Sequence, residues 1–230
     1  MKVLIQNNVF YPNVIGGAEM SSWLLAVELT KRGWEVDAMA TTGRHGRSRE
    51  ITERSLPETS GTVYEAPGTG LVDLYVDGAP PTAPNIFVRA IHHFSQIRSL
   101  RWEHVAHEVF DRVQPDLLHT NTIVGMTPVI WRAARERKIP VVHTLHDYHL
   151  LCPRTTLLRS DQTDCQDPPL PCRLLARLKL ARTDGLQMVT APSNFVLQRH
   201  LSAGGFPGAR TEVVPNACEE IPPGIPDRSR

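Results

Sequence analysis

VLIQNNVFYPNVIGGAEMSSWLLAVELTKRGWEVDAMA, residues 3–40, is the stretch on which the fold turns. Val3 to Gln6 is a short apolar run suited to a buried strand. A loop holding Pro12, Gly16 and Gly17 follows, and apolar residues then recur at helical spacing through Met20, Trp23, Leu24, Val27 and Leu29. Gly33 stands where that helix should end, since glycine enters the left-handed conformation without a steric penalty. Trp34 to Ala40 reads as a second strand. Strand, helix and strand in so short a span predict a right-handed βαβ unit, whose two strands lie parallel.

The same alternation continues outward. Residues 41–84 are rich in Gly, Pro, Thr and Arg and predict an irregular segment with one strand around Thr62 to Ala66. Ile86 to Val113 reads as a long amphipathic helix or a broken pair. Asp116 to His119 is a strand, Val124 to Arg137 a helix and Pro140 to His146 a strand. Asp147 to Pro171 is an insertion with many Pro and Asp residues. Leu174 to Arg182 returns to helix, Gln187 to Ala191 to strand, Asn194 to Ala203 to helix and Thr211 to Pro215 to strand. The expected fold class is α/β, a Rossmann-like open parallel sheet with helices on both faces.

The chain has 230 residues, 41% hydrophobic and 21% charged, which suffices for one packed core. A net charge of +1 argues against nucleic acid as a partner, because a phosphate backbone calls for a cationic excess. No apolar run reaches the ~20 residues that span a bilayer, and MKVLIQNN lacks the apolar core and cleavage site of a signal peptide. Four cysteines in this length form no disulfide framework. Together these features read as a cytoplasmic protein.

Ligands of open parallel sheets sit beyond the carboxyl ends of the strands, so the residues that follow each strand are the candidates. Gly16 and Gly17 open a helix whose free N–H groups and positive dipole end suit a phosphate or a sugar hydroxyl; the same pair also reads as a tight turn. Glu19 reads as a ligand or as a partner of that dipole. The loop matches neither a dinucleotide fingerprint nor a P-loop. His119 reads as a ligand or a satisfied core histidine, and Asn121, one pleat on, shares its face and should be the more exposed of the two. His146 and Asp147 leave a strand end together and are the candidates for the catalytic role, His146 as acid, base or hydrogen-bond donor. Ser193 reads first as a helix cap and second as a ligand-facing hydroxyl. No Ser stands in a nucleophile elbow.

Cys152, Cys165 and Cys172, with His146 and His149 upstream, carry the ligand types of a zinc site but not its close spacing, and no metal is expected. Arg173, Arg177, Lys179 and Arg182 alternate with leucines and alanine on a basic amphipathic helix. That helix is either a surface helix packed on the core or a docking face for anionic lipid at the inner face of the membrane.

Five segments in this order, PNVIGGAE (12–19), PDLLHTN (115–121), PVVHTLHDYHLLCPR (140–154), APSNFV (191–196) and VVPNA (213–217), resemble the N-terminal domain of glycosyltransferase family 4 enzymes, of GT-B architecture. The resemblance spans nearly the whole chain. It implies retaining, metal-independent transfer of a sugar from a nucleotide-diphosphate donor, with no cofactor, to a glycan, lipid or metabolite acceptor. This half would hold the acceptor, the loop matching Gly16-Gly17 would approach the donor diphosphate, and the positions matching His119 to Asn121 and His146-Asp147 would line the interdomain cleft. Related enzymes often carry His where Asn121 stands. VVPNA resembles the start of an interdomain linker, although Ala217 and Cys218 replace the usual pattern. On this reading residues 1–217 are the acceptor-side domain and 218–230 begin the linker. The donor-binding domain would be absent, the chain's own missing partner, and the fragment would be inactive. A nucleotide-sugar epimerase of the same architecture and a non-catalytic binding module are the alternatives.

Overall fold

The computed structural model describes residues 1–69, 86–159 and 161–216, and for 86–90 the helix course alone. Val3, Leu4 and Ile5 are at most 1% exposed in β1 (Lys2–Gln6), as a strand covered on both faces requires. The chain then builds α1 (Gly17–Lys31), β2 (Glu35–His45), β3 (Thr52–Ser55), β4 (Thr62–Gly68), α2 (Ile86–Ser95) and α3 (Leu100–Val113). It returns through β5 (Leu117–Thr120), α4 (Val129–Glu136), β6 (Val141–Thr144), α5 (Leu170–Leu180), β7 (Met188–Ala191), α6 (Asn194–Ser202) and β8 (Arg210–Val213). The strand order is β3-β4-β2-β1-β5-β6-β7-β8, parallel except for β3 against β4. The chain winds one way from β1 to β4 and the other way from β5 to β8. Right-handed crossovers therefore place α1 and α3 on opposite faces, and the winding reverses between β1 and β5. That switch point is where the sheet leaves a crevice at its carboxyl edge.

The core joins both halves, with Trp102, Phe10, Phe110 and Met39 among the largest buried side chains. Gly33 takes φ +82° just after α1, the left-handed turn expected of it. Gly61 is required by a close approach, since a Cβ there would lie 1.8 Å from the Val36 carbonyl oxygen. No helix of the described residues is long and apolar enough to cross a membrane.

Four expectations change or narrow. The segment after residue 40 is more regular than its composition suggests: β2 runs on to His45 and β3 adds an antiparallel edge. β3 is TERS, with no apolar residue to betray it; instead Arg54 binds the Phe10 and Tyr11 carbonyls and ion-pairs with Glu65 at 2.9 Å. Ile86 to Val113 is a broken pair, and Ser99 caps the second helix by accepting from Trp102 N. α4 starts at Val129, not Val124, because Gly125 and Thr127 take φ +81° and +77° in a turn that precedes it. α5 starts at Leu170, within the Pro-rich insertion, where Pro171 falls at a position that needs no N–H. The linker expected over 218–230 lies outside the described residues.

Candidate functional site

The carboxyl end of β1 delivers Gln6, Asn7 and Asn8, all no more than 3% exposed, into the switch point. Their polar atoms knit β1 to the turn after β5. Asn7 Oδ1 accepts from Thr122 N at 3.1 Å, and Gln6 Nε2 donates to Thr122 O at 2.9 Å. Gln6 Oε1, Asn7 Nδ2 and Asn8 Oδ1 are buried without a protein partner among the described residues. An orphaned buried polar atom costs about 1–3 kcal/mol, so three at one strand end mark a polar floor that accepts further partners.

One wall of the crevice is the start of α1. Gly16 and Gly17 are exposed, and nothing lies within 4 Å of where a Gly17 Cβ would stand. Glu19 is buried and turns back on its own helix, where Oε2 accepts from Gly16 N at 2.7 Å. It caps the helix and leaves the next N–H groups open, as first-turn amides have no partner within the helix.

The other wall is built of side chains from β5 and β6. Asn121 Nδ2 donates to the Gln6 carbonyl at 3.1 Å, so its Oδ1 is left to accept from His146 Nε2 at 3.0 Å. The imidazole then carries its proton on Nε2 and its lone pair on Nδ1. Burial pushes the His146 pKa down to about 4, so the ring is neutral at neutral pH: an acceptor, not an acid. Asn121 is 3% exposed, more buried than His119, the reverse of the order expected, because its amide is drawn under β1. His119 sits within the strand, and its Nε2 is bound to Thr144 Oγ1 at 2.7 Å, which in turn meets Thr190 Oγ1 at 2.8 Å. Burial, with His146 nearby, takes its pKa to about 4 as well.

Asp147 and His146 are held by different partners, His146 by Asn121 and Asp147 by the turn that follows it. Asp147 Oδ1 accepts from His149 N at 2.7 Å, and Thr122 also bonds its carboxylate. Burial raises its pKa, and Glu19 across the crevice adds to the rise. Behind it Lys179 is 2% exposed and donates to the His149 carbonyl at 2.9 Å, with His149 Nε2 at 3.2 Å. Lys179 is thus no part of the solvated basic stripe: burial lowers its pKa to about 8, and the Asp147 charge opposes that fall. Ser193 caps α6, its Oγ accepting from Val196 N at 3.4 Å.

The structure thus brings Asn121, His146 and Asp147 together opposite Gly16, Gly17 and Glu19. His119 sits a pleat back, and Ser193 is engaged by its own helix. Reading the sequence by strand ends passed over Gln6, Asn7, Asn8, Thr122, His149 and Lys179. Asn7-Asn8, polar directly after an apolar strand, was the available signal for the first group.

Cys152, Cys165 and Cys172 are free and line one cavity of about 750 Å³ with Leu170 and Leu174. Burial, then the charges of Cys152 and Cys165, hold the Cys172 thiol above its usual range, which favours the protonated form. Among the described residues, Glu103, His107 and Glu136 bring ligand atoms within 4.8 Å of one another, and Arg132 already ion-pairs with both carboxylates.

Comparison with known proteins bears on this arrangement. A curated relative, an uncharacterized 42.6 kDa protein in the cps region of Klebsiella pneumoniae, is 24% identical over 220 residues, covering 95% of this chain. The chain spans 56% of that relative's length. Among solved structures, a sucrose-phosphate synthase from Thermosynechococcus elongatus is 13% identical with a TM-score of 0.49, over 96% of this chain and 90% of that one. A UDP-GlcNAc 2-epimerase from Neisseria meningitidis is 17% identical with a TM-score of 0.46, over 94% and 47%. The model of Glycosyltransferase Family 4 matches residues 15–219, which takes in α1 and every strand from β2 to β8. With both walls of the crevice inside that match, the chain belongs to Glycosyltransferase Family 4.

Proposed function

We propose that this domain holds the acceptor in a glycosyltransferase that moves a hexosyl group from a nucleotide-diphosphate-sugar, retaining and metal-independent as the family resemblance implies. The observation that carries the reading is the pairing, across one switch-point crevice, of an open helix start at Gly17 with the neutral Asn121–His146 pair. The helix start offers backbone N–H groups and a positive dipole end to a diphosphate. His146, free of positive charge at neutral pH, offers a lone pair to an acceptor hydroxyl. Asp147 places a carboxyl group beside His146, with Lys179 behind. The rest of donor recognition belongs in this reading to a second domain, so the 230-residue chain alone binds and does not turn over. The site of action is the cytoplasm. Peripheral membrane contact falls to α5, where Leu170 and Leu174 are 73% and 49% exposed beside Arg173 and Arg177.

The test incubates the chain, and a protein of the relative's full length, with a panel of nucleotide-sugars and acceptors. Transfer by the longer protein only is the expected result. Turnover by this chain alone would overturn the division of labour, and a changed sugar nucleotide formed without acceptor would replace transfer by epimerisation. In the longer protein His146→Ala should lower kcat/KM by about 2–3 kcal/mol, the scale of one preorganised polar contact.

A further inference from the structure

Outside the crevice, cationic side chains gather around the start of α3. A cavity of about 340 Å³ is lined there by Gly46, Arg47, Arg49, Thr69, Ser95, Arg98, Ser99 and Arg101. Four guanidinium groups and three hydroxyls line it, and no carboxylate does. Arg101 is anchored, Nη1 donating to the Ser48 and Pro67 carbonyls at 3.0 and 2.6 Å. Its Nη2 is buried with no partner among the described residues, so neutral carbonyls are all that answer its charge there. Burial accordingly pulls the Arg101 pKa down. Among the described residues no carboxylate pairs with Arg47, Arg49 or Arg98. The positive end of the 14-residue α3 points the same way.

A neighbouring cavity of about 380 Å³ shares Arg98 and adds Arg132, Arg135 and Arg182. There Asp184 is part of the lining, and two of the four arginines are answered by carboxylates, Arg132 by Glu103 and Glu136 and Arg135 by Asp184. Of these two cavities, only the first has no carboxylate in its lining and no arginine paired with one among the described residues. It also lies beside the crevice. Thr69 N donates to the Gly125 carbonyl at 2.7 Å, and the buried Gln96 amide bridges the two residues, donating to Thr69 O and accepting from Gly125 N. Gly125 lies in the connection from β5 to α4 that Asn121 opens.

We propose that this cavity is a phosphate site and that, if the domain holds the acceptor as argued above, the acceptor carries a phosphate monoester or diester seated there. A planar guanidinium matches two phosphate oxygens at once, and several around one cavity give geometry as well as charge. The phosphate could belong to a soluble sugar phosphate or to a lipid headgroup, and the experiment separates them.

The 230-residue chain is titrated with inorganic phosphate, with a sugar 1-phosphate, and with vesicles of phosphatidylcholine with and without phosphatidylglycerol, following the arginine Nε–H resonances and co-sedimentation. Saturable phosphate binding is expected, weakened at least tenfold in Arg47→Ala/Arg49→Ala, two exposed positions whose loss should leave the melting temperature unchanged. Sugar-phosphate binding without vesicle binding would assign a soluble acceptor. Vesicle binding that needs both phosphatidylglycerol and the two arginines would assign a lipid headgroup, because attachment through α5 alone would survive in the double variant. No saturable phosphate binding, or binding indifferent to the double variant, overturns the site. Phosphate binding that depends on the arginines, alongside an unchanged acceptor KM for the double variant in the longer protein, keeps the site and overturns its role in acceptor recognition.

Discussion

The two walls of the crevice reach the same place by different chemistry. The α1 wall is backbone: two exposed glycines and a helix start, closed off only by Glu19 folded back on Gly16 N. The β5–β6 wall is side chain: Asn121, His146 and Asp147, with Lys179 behind them, in two sets of bonds between 2.7 and 3.2 Å. A backbone wall has no group to titrate at its glycines and little to lose on substitution. A side-chain wall of buried polar groups is coupled to the stability of the whole domain, since each group removed strands another. Binding function can therefore be altered at α1 without unfolding the protein, and hardly at all at β6.

The largest effect should come from the buried amine. Lys179→Ala leaves the His149 carbonyl and Nε2 without their donor, and removes the cation whose charge favours the Asp147 carboxylate. Removing one member of such a buried set costs about 3 kcal/mol in urea unfolding. Lys179→Met, which keeps the volume, should cost about half as much. A loss under about 0.5 kcal/mol for the alanine variant would show that the two walls do not differ in this way.

Next in size is a dependence on pH. His119 and His146 bind protons near 6.5 in the unfolded chain and near 4 when folded. Between those values the unfolded state holds more protons, so stability falls as pH falls from about 6.5 towards 4. With allowance for the partial exposure of both rings, the pair should account for a loss of about 2 kcal/mol between pH 7 and 5. Asp147, whose pKa is raised, works in the opposite direction at the acid end. His143 and His149, also held low by burial, add to the same slope. His146→Gln cannot titrate and should remove about half of the share that His119 and His146 supply; an unchanged profile would mean that His146 is not held neutral.

The same contrast explains what the amino-acid sequence disclosed. The βαβ unit at residues 2–45 was legible because its apolar residues keep period, and the rule of strand ends then led to Gly16, Gly17, Asn121, His146 and Asp147. Lys179 was not legible. It stands among Arg173, Arg177 and Arg182, and only the depth of α5 against residues 147–151 shows that it alone turns inward. The start of α4 was obscured by Ile123, Val124 and Met126, apolar residues of a buried turn that fall in helical register by chance. β3 was hidden because Arg54, not an apolar face, fastens it. In each case the surroundings of the folded chain overrode a local pattern, and long-range polar contacts of that kind are what the side-chain wall is made of.

The smallest structural effect belongs to the α1 wall, and it gives the sharpest separation of binding from folding. Nothing stands within 4 Å of the place a Cβ on Gly17 would take, and the backbone there is one that L-residues adopt. As the first residue of α1, the position gains helix propensity on replacement. Gly17→Ala should therefore leave stability unchanged or raise it by up to about 1 kcal/mol. If the open N–H groups there meet a diphosphate, the added methyl blocks that approach, and the longer protein should lose donor affinity while its acceptor KM stays where it was. Equal loss of both would place donor and acceptor on the same wall, and loss of neither would make the glycine pair a turn and nothing more. Because the expected change in stability is near zero, any change in affinity at Gly17 reads directly as contact with ligand, which no substitution at His146 or Lys179 can offer.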